Sequence, residues 1–571
     1  MQSSKQREYL YYKITVSLLL VAIMILSRFT SIFCKRYFVT QLSQVNKSET
    51  YRCIKIAKGF RKSRKSVSLW CQQTKYQIPL AMRKDTSIFS ELQEIFLQND
   101  SHKAINRIIY FMNSIKIRES QIGICKKENC KFTVLQVFRL LLLFPFFSVK
   151  DAFHYSTSAL GRVFACERDM FYRFMEDDGI DWRNILYVIN TQLVNRLSIR
   201  SDSKKSELPV CLIADDTDMP KTGTRIELMG RIHSHVLGKS ILGFKGLFLA
   251  RTDGKTQTLL DCAVVGEDGD NPDRPHGMSK EQIDKQYSKD RNSDSHGQTR
   301  VNEYSMDKQT KLREMVAYAI KKGQRFDYLL VDSWFTCKEL VHFIKRRHFN
   351  CHLLGMIKMG NTKYRSDKYG DLTAKGCIDK LRRIKKGIRY SRRLNCYYGE
   401  MEVLFDGVCV KLFFCRMGKH GKWHGLLTTN TALDFFSAYR IYAMRWAIEV
   451  CFEEMKGYLR LGKCQARNFT AQIASISLTM LQYNILCFMK RFDSYETIGG
   501  LFGEITIGTA EMTIVDRVWL LVVEVVTEIA GLISADYNEL MREAICGNSH
   551  LHAMFVHEYA ELERGKFTCE S

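Results

Sequence analysis

"LPVCLIADD", residues 208–216, is an apolar run that stops on two acids. Its length and its β-branched and aliphatic content read as a buried strand. Two further apolar stretches follow, "ILGFKGLFLART" at 241–252 and "TQTLLDCAVVGE" at 256–267, joined through "DGK" as a hairpin. A polar, turn-rich loop comes next, then a helix near Asn302 to Lys322. Beyond it lie a strand in "DYLLVDS", a helix in "KELVHFIKRRH" and a strand in "CHLLGMIK".

Three strands in a meander, followed by helix, strand, helix and strand, make a mixed sheet flanked by helices. That order is the ribonuclease-H-like one, an α/β fold expected over residues 201–358 and 431–467. Between these two pieces, residues 359–430 contain "LNCYYGEMEVLFDGVCVKLFFCRM", alternating strands around "DG", which read as a β-rich insertion. The rest reads as helical N-terminal and C-terminal regions. Residues 82–200 form a helical region in which "FTVLQVFRLLLLF" is closed by Pro145, and residues 468–571 form a second. In a basic protein the first could bind DNA or serve as a structural collar, and the second could dimerise or pack the core.

Asp216 stands just past the first strand and Asp332 ends the fourth, in "YLLVDSWF". Side chains at such strand ends emerge from rigid backbone into a crevice. Asp215 and Asp218 compete with Asp216 for this role. A third acid comes from "YAMRWAIEVCFEEMK", residues 442–456. At about 100° per residue Tyr442, Arg445, Glu449 and Lys456 fall within an arc of about 60°, while Ile448, Cys451, Met455 and Leu459 take the adjoining face. Arg445 and Glu449, four apart, also suit an ordinary surface ion pair. Three carboxylates brought together repel unless cations compensate them, and Mg²⁺ or Mn²⁺ accepts such oxygen ligands. Two ions per site could support in-line displacement at a phosphodiester.

The 571 residues carry 86 Lys and Arg against 61 Asp and Glu, a net charge of +25, which favours a polyanionic partner. The 19 cysteines are irregularly spaced, which excludes a disulfide scaffold and suits reduced thiols. A zinc knuckle at Cys125 and Cys130 would need His154 and Cys166 to complete it. His233 and His235 have metal-like spacing along a strand, yet packing or DNA contact accounts for them as well. Residues 1–81 are atypical. "ITVSLLLVAIMIL" at 14–26 is too short for a membrane span, and Glu49 is the only acid between Cys34 and Lys84. This segment is expected to lie upstream of the true start, with Met82 a candidate initiator.

The motif from Tyr442 resembles that of the DDE transposases of bacterial insertion sequences, in particular insertion sequence family four. There a tyrosine is followed after two residues by arginine, after three by glutamate and after six by lysine, as in Tyr442, Arg445, Glu449 and Lys456. "DDTDMPKTG" and "YLLVDSWF" are similar to the family's two aspartate motifs. The resemblance runs from about Glu207 to Arg467. It implies that Asp216, Asp332 and Glu449 hold two metal ions and that Tyr442, Arg445 and Lys456 face DNA phosphates.

By the same likeness, Trp423 would stack on a base flipped from the DNA end. In "KLRRIKKGIRYSRR" the cations Lys380, Arg382, Arg383, Lys385, Lys386, Arg389, Arg392 and Arg393 suit the phosphate backbone equally well as solvent. The implied function is cut-and-paste transposition of the chain's own element through a hairpin intermediate. Double-stranded DNA, both inverted-repeat ends and target, would be the partner, with a homodimer in the DNA complex and no small-molecule substrate or membrane. The implied place is the bacterial cytoplasm, at the nucleoid. A ribonuclease-H-like nuclease without strand transfer and a catalytically inactive DNA-binding descendant are the alternatives.

Overall fold

The computed structural model describes residues 115–124, 131–147, 149–158, 161, 166–200, 208–269, 271–346, 349–492 and 498. The expectations for residues 1–81, for Met82 as a start, for Cys125 and Cys130, and for most of the C-terminal region after 492 lie outside these residues.

Four helices open the described chain: α1 (Glu119–Ile122), α2 (Val134–Leu143), α3 (Arg168–Met175) and α4 (Trp182–Arg200). Thr133 starts α2 because its hydroxyl accepts from the Gln136 amide at 3.2 Å while the Gln136 side chain accepts from the Thr133 amide at 2.8 Å. Around these helices Phe144, Tyr155 and Phe171 form an aromatic cluster, with edge contacts at 4.9 and 4.8 Å.

The sheet begins with β1 (Cys211–Pro220), β2 (Gly230–Ser234), β3 (Lys239–Thr252) and β4 (Gln257–Val265). Helices α5 (Lys280–Asp284), α6 (His296–Tyr304) and α7 (Lys308–Lys321) lead to β5 (Tyr328–Val331), α8 (Lys338–Arg346) and β6 (His352–Ile357). β1 pairs antiparallel with β3 and parallel with β5, β5 pairs parallel with β6, and β4 lies on the outer side of β3. The order β4-β3-β1-β5-β6 is that of a ribonuclease-H-like sheet. The single helix expected from Asn302 to Lys322 is divided, because Asp307 caps α7 by accepting from the Thr310 amide at 2.9 Å.

The strands of the insertion are β7 (Lys363–Ser366), β8 (Gly370–Thr373), β9 (Arg389–Ser391), β10 (Cys396–Phe405), β11 (Val408–Met417) and β12 (His424–Thr428), with α9 (Ala374–Arg383) among them. The hairpin between β10 and β11 turns on Asp406 and Gly407, whose φ values of 46° and 80° are those a two-residue turn of matching twist requires. β12 pairs with both β11 and β6. The insertion therefore extends the central sheet into a twelve-stranded one.

Helices α10 (Phe435–Ala443), α11 (Trp446–Gly457) and α12 (Phe469–Phe492) complete the described chain. The two faces of β1 are covered by different helices. Leu212 and Ala214 are buried with Leu312, Met315 and Val316 of α7. Towards the other face, Phe248 of β3 meets Phe452 of α11 at 5.3 Å, and Ile448, Cys451, Met455 and Leu459 are buried as their spacing predicts. Each such side chain contributes about 1.5–3 kcal/mol of apolar burial.

α12 packs on β4, α4, α3 and α2. Its segment Phe469–Arg491 is long and apolar enough to cross a membrane, but it is almost wholly buried as a core helix. Its Asn484 satisfies the outer edge of β4, accepting from the Leu259 amide at 2.7 Å and donating to the Leu259 carbonyl at 2.9 Å. Arg291 ties three parts together, bonding Glu227 at 2.5 and 2.6 Å, Asp178 at 2.9 Å and Asn468 at 3.1 Å.

Candidate active site

In parallel strands the residues just past paired positions emerge side by side. Ala214 of β1 is in register with Val331 of β5, so Asp215 and Asp332 are the next residues on the two chains, just past their last paired position. Asp332 is fixed there by a turn in which its Oδ1 accepts from the Trp334 and Phe335 amides at 2.9 and 3.1 Å. Gly355 of β6 leaves room behind this turn, since a Cβ there would stand 2.2 Å from Thr336 Oγ1.

The helix carrying the third acid is not continuous. α10 ends at Ala443 and α11 starts at Trp446, so Tyr442 sits on the first helix, Arg445 at the junction, and Glu449 and Lys456 on the second. Tyr442, Arg445 and Lys456 bond β5 or β1 directly, and Glu449 joins them through Arg445. Tyr442 donates its hydroxyl to the Val331 carbonyl at 3.2 Å. Arg445 Nη1 donates to Asp215 Oδ2 at 2.7 Å and Nη2 to Glu449 Oε1 at 2.6 Å. Lys456 Nζ donates to Thr217 Oγ1 at 2.7 Å.

This arrangement links Asp215 to Glu449 through Arg445 and sets Asp215 within reach of the charge of Asp332, and it places Asp216 on the other face of β1. Successive residues of a strand point to opposite faces, and β1 continues through both acids to Pro220. Asp216 Oδ2 accepts from Lys308 Nζ of α7 at 2.9 Å, and Lys308 also lies 3.5 Å from Glu267 and 4.4 Å from the Trp334 ring centre. Asp218 follows the same alternation, pairing with Lys245 at 2.5 Å. Thr217, two residues on from Asp215, takes Lys456 on the same side as Asp215, a contact only the folded chain shows.

Burial pushes the Asp215 carboxyl up to about 7, opposed by Arg445 and reinforced by the charge of Asp332. Burial likewise raises the Tyr442 hydroxyl to about 12 and lowers the Lys456 ammonium. Asp218 moves the other way: burial would raise it, but the bonds from Lys245 and Ser234 hold it below the usual carboxylate range.

Among the described residues no three His, Cys, Asp or Glu side chains already stand together as an ion's ligand set. At this site Arg445 lies between two of the acids. As donors, Asp215, Asp332 and Glu449 fit a hard divalent cation, being carboxylate oxygens whose mutual charge is only partly offset by one guanidinium. His233 and His235 lie exposed on the β2–β3 hairpin with ring centres 5.0 Å apart. His154 bonds Asp151 at 2.7 Å, and Cys166 is a buried free thiol.

Trp423 is half-buried against the core, with Arg416 at 5.0 Å and Arg382 at 5.9 Å from its ring centre. Two exposed indoles lie near the site, Trp334 just after Asp332 at 37% and Trp446 at the start of α11 at 62% exposed. Of the cationic run, Arg382, Arg383, Lys385, Lys386, Arg389, Arg392 and Arg393 are exposed from the end of α9 to just past β9, and Lys380 is half-buried. Arg389 pairs with Glu400 at 2.7 Å and Arg382 with Asp379 at 3.2 Å.

Residues 159–368 match a family described as "DDE superfamily endonuclease". The match includes both aspartate motifs and stops before Glu449. The chain is thus similar to transposase-type nucleases over that segment. No curated protein matches it. Among solved structures, a piggyBac transposase synaptic complex with hairpin DNA aligns at 12% identity and a TM-score of 0.35, over 77% of this chain and 83% of that one. The NurA nuclease from Sulfolobus solfataricus aligns at 11% identity and a TM-score of 0.20, over 49% and 85%. Likenesses this slight add nothing to the strand order described above.

Proposed function

We propose that the chain is a DNA transposase that cuts and joins the ends of its own mobile element, with Asp215, Asp332 and Glu449 as the carboxylates of its active site. The observation that carries this reading is the bridge through Arg445. It brings an acid from β1 to the acid on α11, beside the strand end that bears Asp332. Asp216 is replaced in this reading because its carboxylate is engaged by Lys308.

Asp215, Asp332 and Glu449 would hold two Mg²⁺ or Mn²⁺ ions. Such ions activate a water or hydroxyl and stabilise the leaving oxygen in phosphodiester displacement. The chain's own residues supply binding and orientation. Arg445 presents a planar fork suited to a phosphate, Lys456 adds a point charge, and Tyr442 braces the β5 end through the Val331 carbonyl. Trp446 offers a stacking face for an extruded base, a role its exposure supports better than the packed position of Trp423. The exposed cations from Arg382 to Arg393 would follow the duplex backbone.

Strand cleavage by water, hairpin formation by the freed 3′-hydroxyl, reopening, and joining to target DNA would complete a cut-and-paste cycle. Holding two ends together requires two copies of the chain. Purified protein incubated with Mg²⁺ and supercoiled DNA bearing the element's terminal repeats tests the reading. Paired end cleavage with joining is expected. Nicking alone would favour a nuclease without strand transfer, and binding alone a catalytically inactive descendant.

A further inference from the structure

The guanidinium of Arg445 occupies one oxygen of each of two of the three carboxylates in the proposed cation site. Its Nη1 lies 2.7 Å from Asp215 Oδ2 and its Nη2 lies 2.6 Å from Glu449 Oε1. Asp215 and Arg445 are each only 15% exposed at the side chain, whereas Glu449 is 38% exposed. Charge-assisted bonds in so enclosed a place are stronger than surface pairs, and removing one partner leaves the other uncompensated. A guanidinium and a divalent cation cannot use the same two oxygens in the same geometry.

We infer that Arg445 is a built-in competitor of the metal: it neutralises Asp215 and Glu449 in the protein without DNA and must leave them before ions load. This rests on the carboxylate reading above and adds its regulation. A phosphodiester is the chemistry that fits the departing group, because guanidinium pairs with phosphate through the same bidentate fork that now spans the acids. Loading and substrate engagement are then coupled. By reciprocity, whatever draws Arg445 away tightens metal binding, and bound metal frees Arg445 for phosphate.

The competition is tested by titrating Mn²⁺ calorimetrically into the full-length protein without DNA, comparing the natural chain with Arg445→Gln. The variant is expected to bind Mn²⁺ more tightly by about tenfold or more while losing DNA cleavage. Arg445→Lys, whose single ammonium cannot span both acids, should fall between them, and it stands in if the glutamine variant proves unfolded by circular dichroism. Each titration is repeated with Asp332→Asn added. Equal affinities in the natural chain and both variants, all lost with Asp332→Asn, would overturn the competition while keeping the carboxylate site. Absence of any Mn²⁺ binding sensitive to Asp332→Asn would overturn the site reading and the competition with it.

Discussion

The two faces of β1 present nearly the same side chains and lead to opposite arrangements. Towards α7, three carboxylates, Asp216, Asp218 and Glu267, share two lysines, Lys245 and Lys308. Towards α11, Asp215 and Glu449 meet one guanidinium, Arg445, while Asp332 stands at the neighbouring strand end and accepts from the Trp334 and Phe335 amides. In the first group every acid is paired with a lysine. In the second, Lys456 lies on Thr217 rather than on an acid, and the acids are borne by two strands and a helix. The two aspartates differ in which influence wins: at Asp215 burial outweighs the opposing Arg445, and at Asp218 the bonds from Lys245 and Ser234 outweigh burial.

The comparison breaks most directly at the acids. Asp215→Asn, Asp332→Asn or Glu449→Gln should lower the rate of DNA cleavage by on the order of 10³-fold or more, with end binding retained. Asp216→Asn should cost under about tenfold. Equal losses at Asp215 and Asp216, read from supercoiled-plasmid cleavage, would erase the distinction between the faces.

Thermal melting against pH sharpens it. Asp218 has its folded value depressed, so its stabilisation is present above the ordinary carboxylate range and is lost as pH falls through that folded value. Asp218→Asn should therefore destabilise by about 1–3 kcal/mol at pH 7 and by less in acid. Asp215 has its folded value raised to about 7, so its ionisation opposes folding increasingly from about pH 4 to 7. In metal-free protein Asp215→Asn should hold or raise Tm at pH 8, with the effect fading towards pH 4. A lower Tm at pH 8 would contradict the assigned environment.

The aromatic and basic residues are separable by similar means. Trp446→Ala should weaken DNA-end engagement by about 1–3 kcal/mol with little change in Tm, whereas Trp423→Ala should act chiefly on Tm. Combined Arg389, Arg392 and Arg393→Ala should flatten the plot of log affinity against log salt by about one for each phosphate the protein no longer neutralises. An unchanged slope would leave this face to solvent.

Much of the core was legible because its strands are continuous apolar runs and its turns carry Asp-Gly pairs, at Asp253–Gly254 and Asp406–Gly407. The spacing from Tyr442 to Lys456 also placed Ile448, Cys451 and Met455 inward. The choice between Asp215 and Asp216 was not legible. A strand buried on both faces has no polar-apolar alternation, and only the folded chain reveals which side α11 covers. The tightened turn at Met444–Arg445, where both residues keep helical dihedrals, was equally silent, since neither residue disfavours a helix. Trp423 gave no sign of the two guanidinium groups that pack on its ring, because Arg382 and Arg416 reach it through the tertiary fold.

The union of β12 with β6 has a mechanical consequence. A hydrogen-bonded ladder, with no hinge between them, joins the strand ends bearing the acids to the β10–β9 edge where Arg389 and Arg392 lie. If DNA lies across both, the span between grip and scissile bond is metered by strand spacing, and the offset of the cut becomes a dimension of the backbone rather than a choice made by side chains.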